Sequence, residues 1–109
     1  MEMRISSVNN SDGAYKIYFE GVGHWDDFDL ILRLLQQEEN CIVGERRDIV
    51  YAREAELQNN DNAFQLRHDD ALGTFLYTTD ENLVELLERL ANNVINSIKE
   101  KLERLQEEE

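Results

Sequence analysis

The tightest constraint on this chain is an apolar stripe near its C-terminus. In "TTDENLVELLERLANNVINSIKEKLERLQEEE", Leu83, Leu87, Leu90, Val94, Ile98, Leu102 and Leu105 recur every three or four residues, and Leu86, Ala91 and Ile95 widen the band. That period is one face of an α-helix. The spacing predicts a helix over about 80–103, roughly 37 Å long at 1.5 Å per residue, with an acidic tail at 104–109. Thr78 with Glu81 fits a capping box, and Asp80 is a competing cap. That length exceeds what a small sheet usually needs, so the distal end, Ile98, Leu102 and Leu105, is expected to project, and the residues ahead of the helix have to build the sheet under the rest.

Those residues read mostly as strands. "MRISSV" alternates Met3 and Ile5 with polar neighbours, "NNSDG" is a turn, and "AYKIYFEG" puts Tyr15, Ile17 and Phe19 on one face. This predicts a β-hairpin. The period then changes. In "DDFDLILRLLQQEEN", Phe28, Ile31, Leu32 and Leu35 mark a second helix, with Asp26 as N-cap, Asp27 and Asp29 in the first turn and Asn40 as terminator. From Cys41 the pattern is extended again. Strands are expected at Cys41–Glu45 and Ile49–Leu57, with a turn near "RRD". Ile49, Tyr51, Ala55 and Leu57 would share the inner face, which Arg53 interrupts. "AFQLRHD" turns Phe64, Leu66 and His68 inward, and "TFLYTT" is a short last strand. The order β-β-α-β-β-β-β-α, with hairpin-length links, predicts an α+β fold. We expect two layers, an antiparallel sheet of about six strands with both helices on one face. With 109 residues there is chain for one modest core, so residues 1–109 are read as a single domain.

Charge narrows the partners. The 24 acidic against 11 basic residues give a net charge of −13. Phosphate and anionic lipid need a basic surface, so nucleic acid and membranes are excluded as expected partners. No apolar run is long enough to span a bilayer, and "MEMRISSVNN" lacks the pattern of a secretory signal. Cys41, the single cysteine, is expected as a buried small hydrophobe. Together these predict a cytoplasmic protein. The acidity itself has two readings, solubility or steering toward a basic protein.

The chain has two histidines, each followed by carboxylates: "GHWDDFD" and "RHDDALG". A metal site needs several convergent ligands, and neither His24 nor His68 has the helical spacing of a zinc motif. Asp26, Asp27 and Asp29 are accounted for by helix capping, and Asp69 and Asp70 by a tight turn. His24 and His68 therefore remain outside candidates for a small metal-dependent enzyme, and no metal or cofactor is expected. No Gly-rich phosphate loop and no nucleophile elbow occurs, so a non-catalytic role is expected. Trp25 reads as a core residue at a helix entrance, or else as an interface anchor.

The combination of "YFEGVGHWDDFDLIL", "HDDALGTFLYTTDEN" and "LANNVINSIKEKL" resembles small, acidic bacterial immunity proteins, which neutralise toxins encoded beside them. The resemblance implies a protein that binds one basic, nuclease-like toxin and blocks its active site or substrate groove. It implies nothing about architecture, since immunity proteins share no common fold. The expected contact residues are Asp26, Asp27, Glu54, Glu56, Asp69 and Asp70, with Trp25 as an aromatic anchor. The alternative is a self-associating structural or regulatory homodimer, built through Ile98, Leu102 and Leu105 at the far end of the long helix.

Overall fold

The computed structural model describes residues 3–9, 12–22 and 27–107 of the chain. Six strands form one sheet: β1 (Arg4–Asn9), β2 (Tyr15–Glu20), β3 (Ile42–Ile49), β4 (Ala52–Asn59), β5 (Asn62–Asp69) and β6 (Gly73–Thr78). Helix α1 (Asp27–Glu38) follows β2. Helix α2 (Val84–Glu107) follows β6 through a short 3-10 turn at Glu81–Leu83. The sheet order is β1-β2-β6-β5-β4-β3, and every neighbouring pair is antiparallel. The expected α+β class and element order hold.

Connectivity explains the layer. The β1–β2 hairpin occupies one side of the sheet, and α1 then carries the chain to the opposite edge, where β3 begins. The meander β3–β6 returns until β6 pairs with β2. Both helices lie on the same face: α2 over β1, β2 and β6, α1 over β3 and β5, and the two helices touch each other. The inward residues are those of the alternating pattern. Ile17, Phe19, Ala55, Leu57, Phe64, Leu66 and Leu76 from the strands meet Phe28, Ile31, Leu34 and Leu35 from α1 and Leu87, Leu90, Ala91, Val94, Ile95 and Ile98 from α2. Each fully buried side chain of this size contributes about 1.5–3 kcal/mol.

Local chemistry sets the boundaries. At the β1–β2 turn the Ala14 amide donates to Asp12 Oδ1 at 3.1 Å, and Gly13 has φ +84°. Helix α1 ends where Asn40 takes φ +58°, and the Cys41 amide closes onto the Leu35 carbonyl at 3.0 Å. The cap ahead of α2 is Asp80, whose Oδ1 accepts from the Asn82 amide at 2.9 Å. Thr78 sits two residues back and accepts from the Asp80 amide, so the competing cap prevails over the capping box.

Two boundaries differ from expectation. Strand β3 does not stop at Glu45. It runs through "RRD" to Ile49, and the turn is at Val50 and Tyr51. A charged segment is stable there because β3 is an edge strand, where charge also discourages pairing with other sheets. Consequently Ile49 pairs with Ala52 and Arg47 with Glu54 on the outer face. Ile49 and Tyr51 are thus not part of the inner face. Helix α2 extends to Glu107 rather than ending near 103; glutamate and lysine are good helix formers.

Candidate functional site

The distinctive end of the molecule is the one holding the β3–β4 tip, the β5–β6 turn and the start of α1. Arg53, on the inner face of β4, is buried beneath the first turn of α1. Its Nη1 and Nη2 donate to the two Asp29 carboxylate oxygens at 3.1 and 3.2 Å, and its Nε donates to Asp48 Oδ1 at 3.2 Å. Arg46 Nη2 donates to Asp29 at 2.8 Å. The Arg53 guanidinium lies 4.7 Å from the Phe28 ring centroid, a cation–π distance. Two arginines and two aspartates thus form a neutral cluster that closes this end of the core. Burial pushes the Asp29 carboxyl up, but the hydrogen bonds from Arg53 and Arg46, with their charges, outweigh it and hold it below the usual range. For Arg53, burial opposes the charge, and the bonds from Asp29 and Asp48 more than restore it.

Beside Arg53 in register stands His68 on β5. It is buried, with Nδ1 2.9 Å from Thr74 Oγ1 and Nε2 3.1 Å from Asp70 Oδ1. Asp69 Oδ1 accepts from the amides of Ala71 and Leu72 at 2.8 and 3.2 Å. These are the turn roles expected of Asp69, and His68 is the hydrogen-bonded strand residue its alternation implies. The Asp70 amide donates to the Tyr51 carbonyl at 3.2 Å, which ties the two loops together.

On this scaffold sits an apolar tip. Ile49 is 63 %, Val50 78 %, Tyr51 72 % and Leu72 54 % exposed. Large apolar side chains gathered on a hydrogen-bonded support mark an interaction surface more often than a chance exposure. Sequence periodicity missed it because "DIVYA" was read as continuing strand. Three large apolar residues in a row are no sufficient signal, since Phe75, Leu76 and Tyr77 stand in a row inside β6.

The expected contact residues are divided by the fold. Asp69 and Asp70 flank the tip, and Asp27 lies in the first turn of α1, near the Asp29 cluster. Glu54 and Glu56 are on the outer face of β4, where Glu54 lies 3.9 Å from Arg67 Nε. His24, Trp25 and Asp26 lie outside the described residues. Among the described residues no group of three His, Cys, Asp or Glu side chains is placed to hold a metal. Of the self-association stretch, Ile98 is 6 % exposed and belongs to the core, whereas Leu102 and Leu105 are 47 % and 60 % exposed. Ile98 is therefore corrected from candidate contact to core residue. Its position on the stripe faces the sheet, and only the next turns overhang it. Among the described residues no helix is long and apolar enough to cross a membrane.

No protein-family model matches the chain, and neither a curated protein nor a solved structure matches it.

Proposed function

We propose that this chain is a non-catalytic, acidic protein-binding module of the immunity type, acting in the cytosol to neutralise a basic, nuclease-like toxin. One observation carries the reading: the exposed tip of Ile49, Val50, Tyr51 and Leu72 is flanked by Asp69 and Asp70, while Arg46 and Arg53 on the inner face beside it are held by Asp29 and Asp48. An apolar centre with an aromatic anchor and a charged rim is the anatomy of a protein interface. Against a groove built to hold phosphates, the rim carboxylates take the phosphates' place and the tip fills the space between them. Charge complementarity then speeds the encounter, and desolvation of the tip slows release.

The test is capture of partners from the source cell by the tagged protein at low and moderate salt, alongside Tyr51→Ala and Val50→Ser variants. The reading expects one stoichiometric basic protein, lost as salt rises and lost with the tip variants. Retention of only the chain itself, or of a partner indifferent to both tip substitutions, overturns it. A second reading is favoured by Leu102 and Leu105, which continue the core stripe of α2 into solvent. It makes the chain a homodimer joined at the ends of α2, and light scattering on the parent and on Leu102→Glu decides it.

A further inference from the structure

The outer face of the sheet, away from both helices, holds a groove of about 380 Å³ lined by Ile42 and Gly44 on β3, Glu56 and Gln58 on β4, Ala63 on β5 and Tyr77 on β6. This volume lies in the range of sites that accept a small group or a side chain. We infer that the groove is a receptor for one basic side chain, a lysine or arginine, presented by an extended segment of the partner. The inference deepens the proposed binding function and rests on it only for the source of that side chain.

Three observations define the occupant. Among the described residues Glu56 is the only charged side chain on the groove wall. Of the nearby cations, Arg67 stacks 3.8 Å from the Tyr77 ring centroid and donates to Gln65 Oε1 at 2.7 Å, and Arg47 lines a small adjoining depression with Glu45, Glu54 and Glu56. Gln58, also on the wall, donates its amide nitrogen to the Asn60 carbonyl at 3.0 Å and keeps its oxygen as an acceptor. The wall thus offers a carboxylate and an amide oxygen beside the apolar surfaces of Ile42, Ala63 and Tyr77. That suits a charged donor at the end of a hydrocarbon stem.

The third observation is Gly44. Its φ is not positive, so the backbone does not require glycine there. The atoms nearest to a Cβ on it would be those of Glu56, at 3.5 Å from Cβ, 3.7 Å from the carbonyl oxygen and 3.8 Å from Oε2, all ordinary contacts. Glycine inside a strand weakens it, and it marks places where something else comes close. What the missing side chain does here is leave the approach to the Glu56 carboxylate open from the β3 edge.

The experiment is an amide-resolved NMR titration of the full chain with three capped tripeptides, Ala-Lys-Ala, Ala-Arg-Ala and Ala-norleucine-Ala. The lysine or the arginine peptide should shift the amides of Gly44, Gln58 and Ala63 with a Kd of about millimolar, and norleucine should bind roughly threefold to fivefold more weakly, the factor of a half-exposed ion pair. Glu56→Gln should erase that preference, and Gly44→Leu should abolish the shifts. Glu100→Gln, which removes the same charge from α2, should change neither. Equal binding of norleucine, shifts confined to other surfaces, or a preference that survives Glu56→Gln overturns the inference. Should Gly44→Leu fail to fold, the Glu56→Gln comparison alone decides. The peptide assay does not depend on the toxin. Peptide binding without partner capture leaves the groove standing and the inhibitor reading fallen, whereas partner capture without peptide binding does the reverse.

Discussion

At the scale of single residues, the most consequential is Asp29, because it answers two arginines at once. Arg53 is buried, so removing its main acceptor strands guanidinium donors away from water. Asp29→Asn is expected to destabilise the fold by about 1–3 kcal/mol at neutral pH, with Asp48 still holding Nε. The pH dependence has a definite sign. The folded carboxyl titrates below its ordinary value near 3.9, so its contribution is complete above that pH and is lost as pH falls through the lower folded value. Denaturant melts of parent and Asp29→Asn should differ at pH 7, converge below about pH 4 and coincide in stronger acid; a constant gap across that range would refute the role. Cys41 gives a second prediction at this scale. Burial pushes its thiol up, the Glu39 charge adds to this, and an Asn59 hydrogen bond only partly opposes it. Its reaction with a thiol reagent at pH 8 should be negligible in the native protein and should appear on unfolding. Both residues show what was legible. A lone cysteine before "IV" announced itself as core, whereas Arg53 looked like an interruption of the apolar face, because the Phe28 ring and Asp29 that accommodate it arrive from a helix 24 residues earlier in the chain.

At the scale of elements, α2 is one periodic pattern with two fates. Its stripe from Leu87 to Ile98 is buried against the sheet and α1, while Leu102 and Leu105 extend beyond them. Ile98→Ala is expected to cost about 2–4 kcal/mol and Leu105→Ala less than about 0.5 kcal/mol, measured by urea unfolding. Equal costs would mean that the distal turn is packed in solution, which is the signature of the homodimer. The lock between helices lies just before the overhang: Ser97 Oγ donates to Glu38 Oε1 at 2.8 Å, and Lys101 Nζ lies 3.4 Å from Glu38 Oε2. Element existence and order were legible because both helical stripes and the inward alternation of Phe64, Leu66 and His68 are local signals. The length of β3 was not, since a strand carrying Arg46, Arg47 and Asp48 survives only because it is at an edge and because α1 delivers Asp29 to it. Sequence spacing carries no information about which strand becomes an edge. The candidate site was half legible for the same reason: Asp69 and Asp70 stood out as turn acids, but the tip beside them depends on where β3 ends.

At the scale of the molecule, the proposed binding function assigns separable contributions to the net charge of −13 and to the apolar tip. The field of the whole chain acts at a distance and is screened over about 8 Å at physiological ionic strength, so it governs the encounter rate. In that proposal the tip would act only after contact, so it would govern release. Two substitutions isolate these effects. Asp69→Asn keeps a side-chain oxygen for the Ala71 and Leu72 amides while removing one rim charge, so it should leave thermal stability nearly unchanged. In stopped-flow association with the captured partner it should lower the on-rate, flatten its dependence on salt and leave dissociation almost untouched. Tyr51→Ala should do the opposite, speeding dissociation by about 30-fold or more, as truncation of an aromatic anchor at an interface centre costs about 2 kcal/mol, with the salt dependence of association preserved. If Tyr51→Ala leaves the off-rate unchanged, the tip is not the anchor. If in addition the on-rate of the parent is indifferent to salt, the acidity is there for solubility alone, and the self-association of α2 becomes the function to pursue.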